Sequence, residues 1–285
     1  MYKKFYFIVF LAFITSGVVS AQANLLNSTN VDQIGKKTKE QLVAVNDAPL
    51  SYGYIDDRDV LSSKVVWEII DLNQKINLPY YFPIDTVSVS TDRRSLFDTL
   101  YKGIRTGKIK EAYSDSFFNG KVTRQEISNM LINVRQEGSN IDTFRISTQD
   151  ITAFKIKGMW YFDKRQGELK YRLLAIAPLG PDVKTLGVSE IDDDNLYELF
   201  WVFYPSAREV LHNAKVLNPK NSSHPISFDH LLNARRFSSH IIREENIYGN
   251  RKIADYVRGN SLFQLLEADK IKEGIRNREI DMWNY

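Results

Sequence analysis

The chain has 285 residues, enough for one large domain or two small ones, and 43% of them are hydrophobic, which allows a sizeable core. It contains no cysteine, so disulfides, thiolate metal sites and thiol nucleophiles are all excluded. The formal charge is +3, and loss of Lys3 and Lys4 with a leader would leave +1, so no global field favours nucleic acid.

Lys3 and Lys4, the apolar run from Phe5 to Ile14 and the small residues Val19-Ser20-Ala21 make residues 1–21 read as a signal peptide cleaved before Gln22. The run is too short to span a bilayer, and without cysteine the mature end has no thiol for a lipid. The expectation is an exported, unanchored protein of a bacterial periplasm. Residues 22–56 are polar, rich in Asn, Lys and Asp, and bury too little on their own to offset ordering entropy. They read as an arm that orders on a partner or stays a passive leader. Residues 57–285 read as one domain.

Val60, Leu61, Val65, Ile69, Leu72 and Ile76 recur at spacings of three and four and predict a helix that stops before Leu78-Pro79. Tyr80 to Pro83 reads as a turn. Ser95, Leu96, Leu100 and Ile104 open a second helix that Gly107 ends. Thr123 and Glu126 spell a capping box for a third, carried by Ile127, Leu131 and Val134 to near Gly138. The period then changes to two. Phe154, Ile156, Trp160 and Phe162 share one parity, and beyond a loop containing Gly167 so do Leu169, Tyr171 and Leu173, which predicts a β-hairpin.

Leu196 to Tyr204 is apolar on both parities and reads as a strand covered on both faces, interrupted by Pro205. Ser206 and Glu209 suggest a cap for a short helix through Val210, Leu211 and Ala214, followed by a loop from Asn218 to Pro225. Ser227 to Ile247 mixes helical and extended signals. Ser261 and Gln264 suggest the cap of a last, heavily charged helix. The fold class expected is α+β, an antiparallel sheet with a central hairpin flanked by N-terminal and C-terminal helices.

Chemistry has few footholds here. His212, His224, His230 and His240 fall in one stretch, which raises a metal-dependent hydrolase with Asp229 or Glu244 as carboxylate, but no pair has the spacing of H-E-x-x-H. Asp192-Asp193-Asp194 lacks the spaced pattern of a calcium loop. No catalytic residue, metal or cofactor is nominated. Lys155, Lys157, Lys170 and Arg172 share the polar parity of the hairpin and form a basic patch for an acidic partner or anionic headgroups, or else a solvated sheet face. Trp283 and Tyr285 close the chain as aromatics that pack back or anchor a neighbouring subunit.

Several distinctive strings stand in one order: Ser95-Leu96-Phe97-Asp98, Ile151 to Phe154 running into Lys157-Gly158-Met159-Trp160-Tyr161-Phe162-Asp163, and Tyr171-Arg172-Leu173. Ser227-Phe228-Asp229, Asn233-Ala234-Arg235-Arg236-Phe237 and Asp281-Met282-Trp283 follow. In these the chain from about Asp57 onward resembles the GldN/PorN family of gliding-motility proteins. The resemblance implies a non-enzymatic periplasmic component of the type IX secretion system of Bacteroidota. It implies pairing with an outer-membrane lipoprotein of GldK/PorK type in a ring, self-association within that ring, and communication with motor proteins of GldL and GldM/PorM type. It implies neither a cofactor nor a catalytic residue. The competing readings are the hydrolase using the His212–His240 segment and a monomeric ligand-binding module.

Overall fold

The computed structural model describes residues 48–84, 93–137, 140–186, 195–216, 218 and 226–282. The signal-peptide expectation for 1–21, most of the arm, Asp192 to Asp194, His224, Trp283 and Tyr285 lie outside them.

The elements run β1 (Val60–Asp71), α1 (Leu78–Tyr81), α2 (Leu96–Arg105), β2 (Ala112–Tyr113), β3 (Lys121–Val122) and α3 (Arg124–Leu131). Two hairpins follow, β4 (Ile132–Glu137) with β5 (Asn140–Arg145), then β6 (Ala153–Asp163) with β7 (Glu168–Gly180). Next come β8 (Tyr197–Glu198), β9 (Val202–Phe203), α4 (Tyr204–Asn213), β10 (Lys215–Val216) and β11 (Ile226–Ser227). The chain closes with α5 (Phe228–Asn233), β12 (His240–Glu244), α6 (Ile253–Tyr256) and α7 (Ser261–Met282).

The main sheet is antiparallel in the order β12-β1-β6-β7-β8, with β9 also on β7, so the β6–β7 hairpin lies at its centre and the α+β expectation holds. One face of the sheet, through Ile70, Phe154, Ile156, Leu173 and Ile176, packs under α1, α2, α4 and α5 with Leu96, Leu100, Leu211 and Phe228. Farther along the strands on that face, Val66 and Ile241 pack with Ile253, Ala268, Ile271 and Ile275 of α6 and α7. On the opposite face Trp67, Ala175 and Ala177 meet Tyr113 and Trp201, whose backbones exchange hydrogen bonds of 2.8 and 2.7 Å. Between Lys157 and Gly158 the β6–β7 register shifts by a bulge that adds Leu174, which keeps odd-numbered Leu173 and even-numbered Ile176 on the same core face.

The largest correction is at residues 60–71, which form a strand and not a helix. β1 is paired on both sides and buried on both faces over Val66, Trp67 and Glu68, so its apolar residues show no clean period of two and mimic helical spacings. The β-branched content of Val60, Val65, Val66, Ile69 and Ile70 is the signal that outweighs them. The third helix has its full Thr123–Glu126 capping box but stops at Leu131, because Ile132 and Val134 belong to a strand paired with β5.

Leu196 to Tyr204 is two short strands, not one. Buried Leu199, Phe200 and Trp201 fill the gap, with Trp201 turned to bridge Tyr113. α4 starts at Tyr204 with Pro205 in its first turn, where a missing N–H costs nothing, and Ser206 lies inside it, donating to the Phe203 carbonyl at 2.8 Å. The last helix is capped by Asn260, whose Oδ1 accepts from the Leu262 and Phe263 amides at 3.0 and 3.2 Å. The unassigned stretch after Ser227 resolves into α5 and β12. Among the described residues no helix is long and apolar enough to cross a membrane.

Candidate functional site

The hairpin parity sets Lys155, Lys157, Lys170 and Arg172 on one face, as the sequence predicts, but the face is not an open basic patch. Its cations are engaged by the chain itself. Lys155 is 8% exposed and pairs with Glu198, which also accepts from Trp201 Nε1 at 2.6 Å. Lys157 donates to the Ser116 carbonyl at 3.0 Å and sits 5.2 Å from the Trp67 ring centre and 4.8 Å from that of Phe117, where burial lowers its pKa from the ordinary lysine value. Lys170 pairs with Asp163 at 3.3 Å. The cause is the β2–β3 loop and β8, which close over part of this face. Because Glu198 keeps some solvent contact, Lys155→Glu should lower stability by about 1–3 kcal/mol, read from the urea midpoint. An unchanged midpoint with altered partner binding would return Lys155 to a docking role.

Arg172 has a different task. Its guanidinium stacks 4.5 Å from the Tyr52 ring centre and donates to the Gly53 carbonyl at 3.3 Å. Arg208 lies 4.2 Å from the same ring and donates to the Leu50 carbonyl at 2.5 Å, while Arg165 donates to that of Tyr54 at 3.0 Å. Three arginines thus seat residues 50–54, the end of the stretch read as an arm, against the domain. The Tyr52 hydroxyl donates to Asn233 Oδ1 at 3.1 Å, and burial raises its pKa. Tyr52→Ala removes two cation–π contacts and a hydrogen bond, so local opening of 48–56 should rise about tenfold, read as faster proteolysis there with the core unaffected. An unaltered cleavage rate would mean that the arginines do not hold the strap.

Behind the strap is a buried centre. Asp229 accepts from Arg208 Nε and Nη2 at 2.8 and 3.0 Å, from the Tyr204 hydroxyl at 2.9 Å and from Asn233 Nδ2 at 2.9 Å. The fork geometry and the hydrogen bond to Asp229 raise the Arg208 pKa, and burial with the neighbouring carboxylate raises that of Tyr204. A second centre joins β1 to the loop after α5. Glu68, 1% exposed, takes Arg235 Nη1 and Nη2 at 3.1 and 2.8 Å and a hydrogen bond from Ser239. Arg235 is stacked over Tyr171, Trp160 and Phe237 at 4.0, 5.0 and 5.1 Å. Burial works against its charge, but the hydrogen bonds to Glu68 raise its pKa overall. Gly158 makes this possible: a Cβ there would come within 2.1 Å of the Tyr171 hydroxyl. Neither pair was singled out from sequence, although a lone Glu68 inside Val65-Val66-Trp67-Glu68-Ile69-Ile70 marks a carboxylate that needs a buried partner.

The histidines do not converge. His212 is on α4, His230 on α5 and His240 on β12, and among the described residues no three His, Asp or Glu side chains are placed to hold a metal ion together. Burial and the Lys272 ammonium lower the pKa of His240 below its usual 6.5. The unfolded chain therefore binds this proton first, and stability should fall as pH drops from 6.5 towards the folded value. His240→Gln should flatten that slope in pH-dependent melting, and an unchanged slope would refute it.

Four of the six strings that carry the family resemblance contribute residues to these two centres. Gly158, Trp160, Tyr171 and Phe237 surround the Glu68–Arg235 pair, and Asp229 and Asn233 belong to the centre behind the strap. They form packing and ion pairs that join the sheet to its helices. Residues 55–284 match the family model described as gliding motility associated protein GldN. No curated protein matches the chain.

Proposed function

The chain belongs to the GldN family of gliding-motility-associated proteins, and from that membership we propose that it is a non-enzymatic structural subunit of the type IX secretion system, held in a ring with an outer-membrane lipoprotein. The family match over residues 55–284 carries this reading. In it the mature protein occupies the periplasm at the inner face of the outer membrane, self-associates within the ring, and meets an inner-membrane motor protein of GldM/PorM type. The lipoprotein, of GldK/PorK type, supplies membrane attachment in this account, since the sequence offers no cysteine thiol for a lipid. The distinctive strings of the family are spent on core and ion-pair residues, which suits a scaffold. The near-neutral balance of charge provides no global field that would draw nucleic acid.

Residues 24–47 serve assembly in this account. Deleting Asn24 to Asp47 should leave the melting temperature of the domain unchanged and weaken co-assembly with the lipoprotein; unaltered assembly would make the arm a passive leader. The function itself is tested in cells. Deletion of the gene should abolish protein export across the outer membrane and surface gliding where the host glides, and the wild-type chain should restore them. A chain carrying His212→Ala and His230→Ala should restore them equally. Failure of that variant, together with loss of stoichiometric zinc, would establish the hydrolase instead.

A further inference from the structure

Arg243, Trp67 and Lys157 stand in one row across β12, β1 and β6, on the face of the sheet that Tyr113 and Trp201 also cover. Two irregularities of the backbone meet over this row. In β12 the register on β1 shifts between Trp67 and Glu68, so Ile242 is an extra residue and the bulge sets Arg243 opposite Trp67. In the β2–β3 loop Phe118 has a φ of 64°, a left-handed backbone that a bulky side chain rarely takes. Its ring meets Tyr113 and Phe203 edge-on at 5.0 and 5.3 Å, while Phe117, 46% exposed, lies 5.8 Å from the Trp67 ring.

Both cations of the row stand against these rings, but only one has an oxygen to meet it. Lys157 donates to the Ser116 carbonyl. The Arg243 guanidinium lies 4.5 Å from the Trp67 ring centre and 5.3 Å from that of Phe117, and makes no hydrogen bond or ion pair among the described residues. Its Nε is buried without a partner, and its two Nη groups reach the surface. Burial first, and the charge of Arg243 after it, lower the Lys157 pKa, so the two cations feel each other. Glu245 and Asp115 act on Lys157 from a distance and pair with neither. Arg145 and Arg251 also lie over rings, at Tyr101 and Tyr248, but both are exposed and water meets their charge. Arg243 is half-buried, and beside it half-buried Val65 and Met159 pair in the next row of the same face.

We propose that Arg243 is the docking point for a carboxylate of a protein partner, an Asp or Glu whose apolar neighbour rests on Phe117 and Val65. A guanidinium withdrawn from water gains most from an acceptor with two oxygens, which its Nη groups meet as a fork. Arginine set among aromatic and aliphatic side chains is the composition of an interface centre. The rim selects a single acid. Exposed Glu245, with Asp115, would repel a surface of many negative charges, so a protein carboxylate fits where an anionic membrane does not. The inference goes beyond the ring reading and does not require it, since it holds or fails on the mature chain alone.

The probes are acetyl-Asp-Leu-amide and acetyl-Asn-Leu-amide, which differ in the carboxylate alone. Each is titrated at fixed ionic strength into the isotope-labelled mature chain, and nuclear magnetic resonance follows the Arg243 Nε–H and the Trp67 indole N–H. The acid peptide should move both signals along a saturating curve, and the amide peptide should need at least about ten times the concentration. Arg243→Lys keeps the charge without the fork, so it should weaken the response of the Trp67 indole to the acid peptide about tenfold. Phe117→Ala should weaken it severalfold, and because Phe117 is exposed the fold should survive the change. Equal curves for the two peptides, or no movement at Arg243 and Trp67, would overturn the proposal. Inorganic phosphate that saturates the same signals at a lower concentration than the acid peptide would overturn it too, and make this a phosphate site. The comparison of the two peptides on the wild-type chain needs no variant, so a variant that fails to fold leaves the test intact.

Discussion

Glu68→Ala is expected to destabilise the domain by about 2–4 kcal/mol, because it leaves the half-buried Arg235 guanidinium among Tyr171, Trp160 and Phe237 with no carboxylate to meet its charge. In a domain of this size that is a fall in melting temperature on the order of 10 °C. The double variant Glu68→Leu with Arg235→Met separates the pair from the packing around it. Replacing both charges by apolar groups of similar volume leaves no charge unpaired, so it should be far closer to wild type than either single change. The residual loss reports the aromatic stacking on Arg235 and the hydrogen bond from Ser239. A loss below about 1 kcal/mol for Glu68→Ala would mean that the pair does not join β1 to the chain after α5.

Asp229→Ala should cost a similar amount, about 3–5 kcal/mol, for a related reason and with a different second consequence. One carboxylate satisfies Arg208, Tyr204 and Asn233, so its removal leaves two buried side chains, Arg208 and Tyr204, and the more exposed Asn233 short of an acceptor. Arg208 also holds the Leu50 carbonyl and the face of Tyr52. Once Arg208 is unfixed the strap over residues 50–54 should open, so Asp229→Ala should expose 48–56 to protease, and Glu68→Ala should not. Arg208→Lys sharpens the point. Lysine keeps the charge but loses the two-pronged geometry, and its loss of stability should fall between wild type and Asp229→Ala. Equal protection of the strap in both carboxylate variants would contradict this division of labour.

The parts of the fold that the sequence makes legible are those where polar and apolar side chains alternate, whether or not water covers the polar side. The β6–β7 hairpin alternates cleanly because Lys155, Lys157, Lys170 and Arg172 oppose a core face, and α2 and α3 announce themselves through Ser95 and Thr123. β1 over Val66 to Glu68 and the run from Leu199 to Val202 are buried on both sides, and there periodicity fails. The basic face fails for another reason. Parity tells which side a lysine leaves the sheet, but not that Ser116, Phe117 and Glu198, distant in sequence, come to meet it. Resemblance finds the family, and the structure shows what its strings do: Gly158 clears space for Tyr171, which with Trp160 and Phe237 encloses Arg235. Buried partnerships such as Glu68 with Arg235, separated by most of the domain, leave only half a trace in sequence, a charge where none should be.

The central claim is that this chain is a scaffold that assembles with an outer-membrane lipoprotein. It is tested most directly by the absolute mass of the mature protein by light scattering, alone and mixed with an outer-membrane lipoprotein of GldK/PorK type. The account predicts a large co-assembly of defined mass in the mixture. A monomer that stays a monomer whatever the lipoprotein concentration would contradict it.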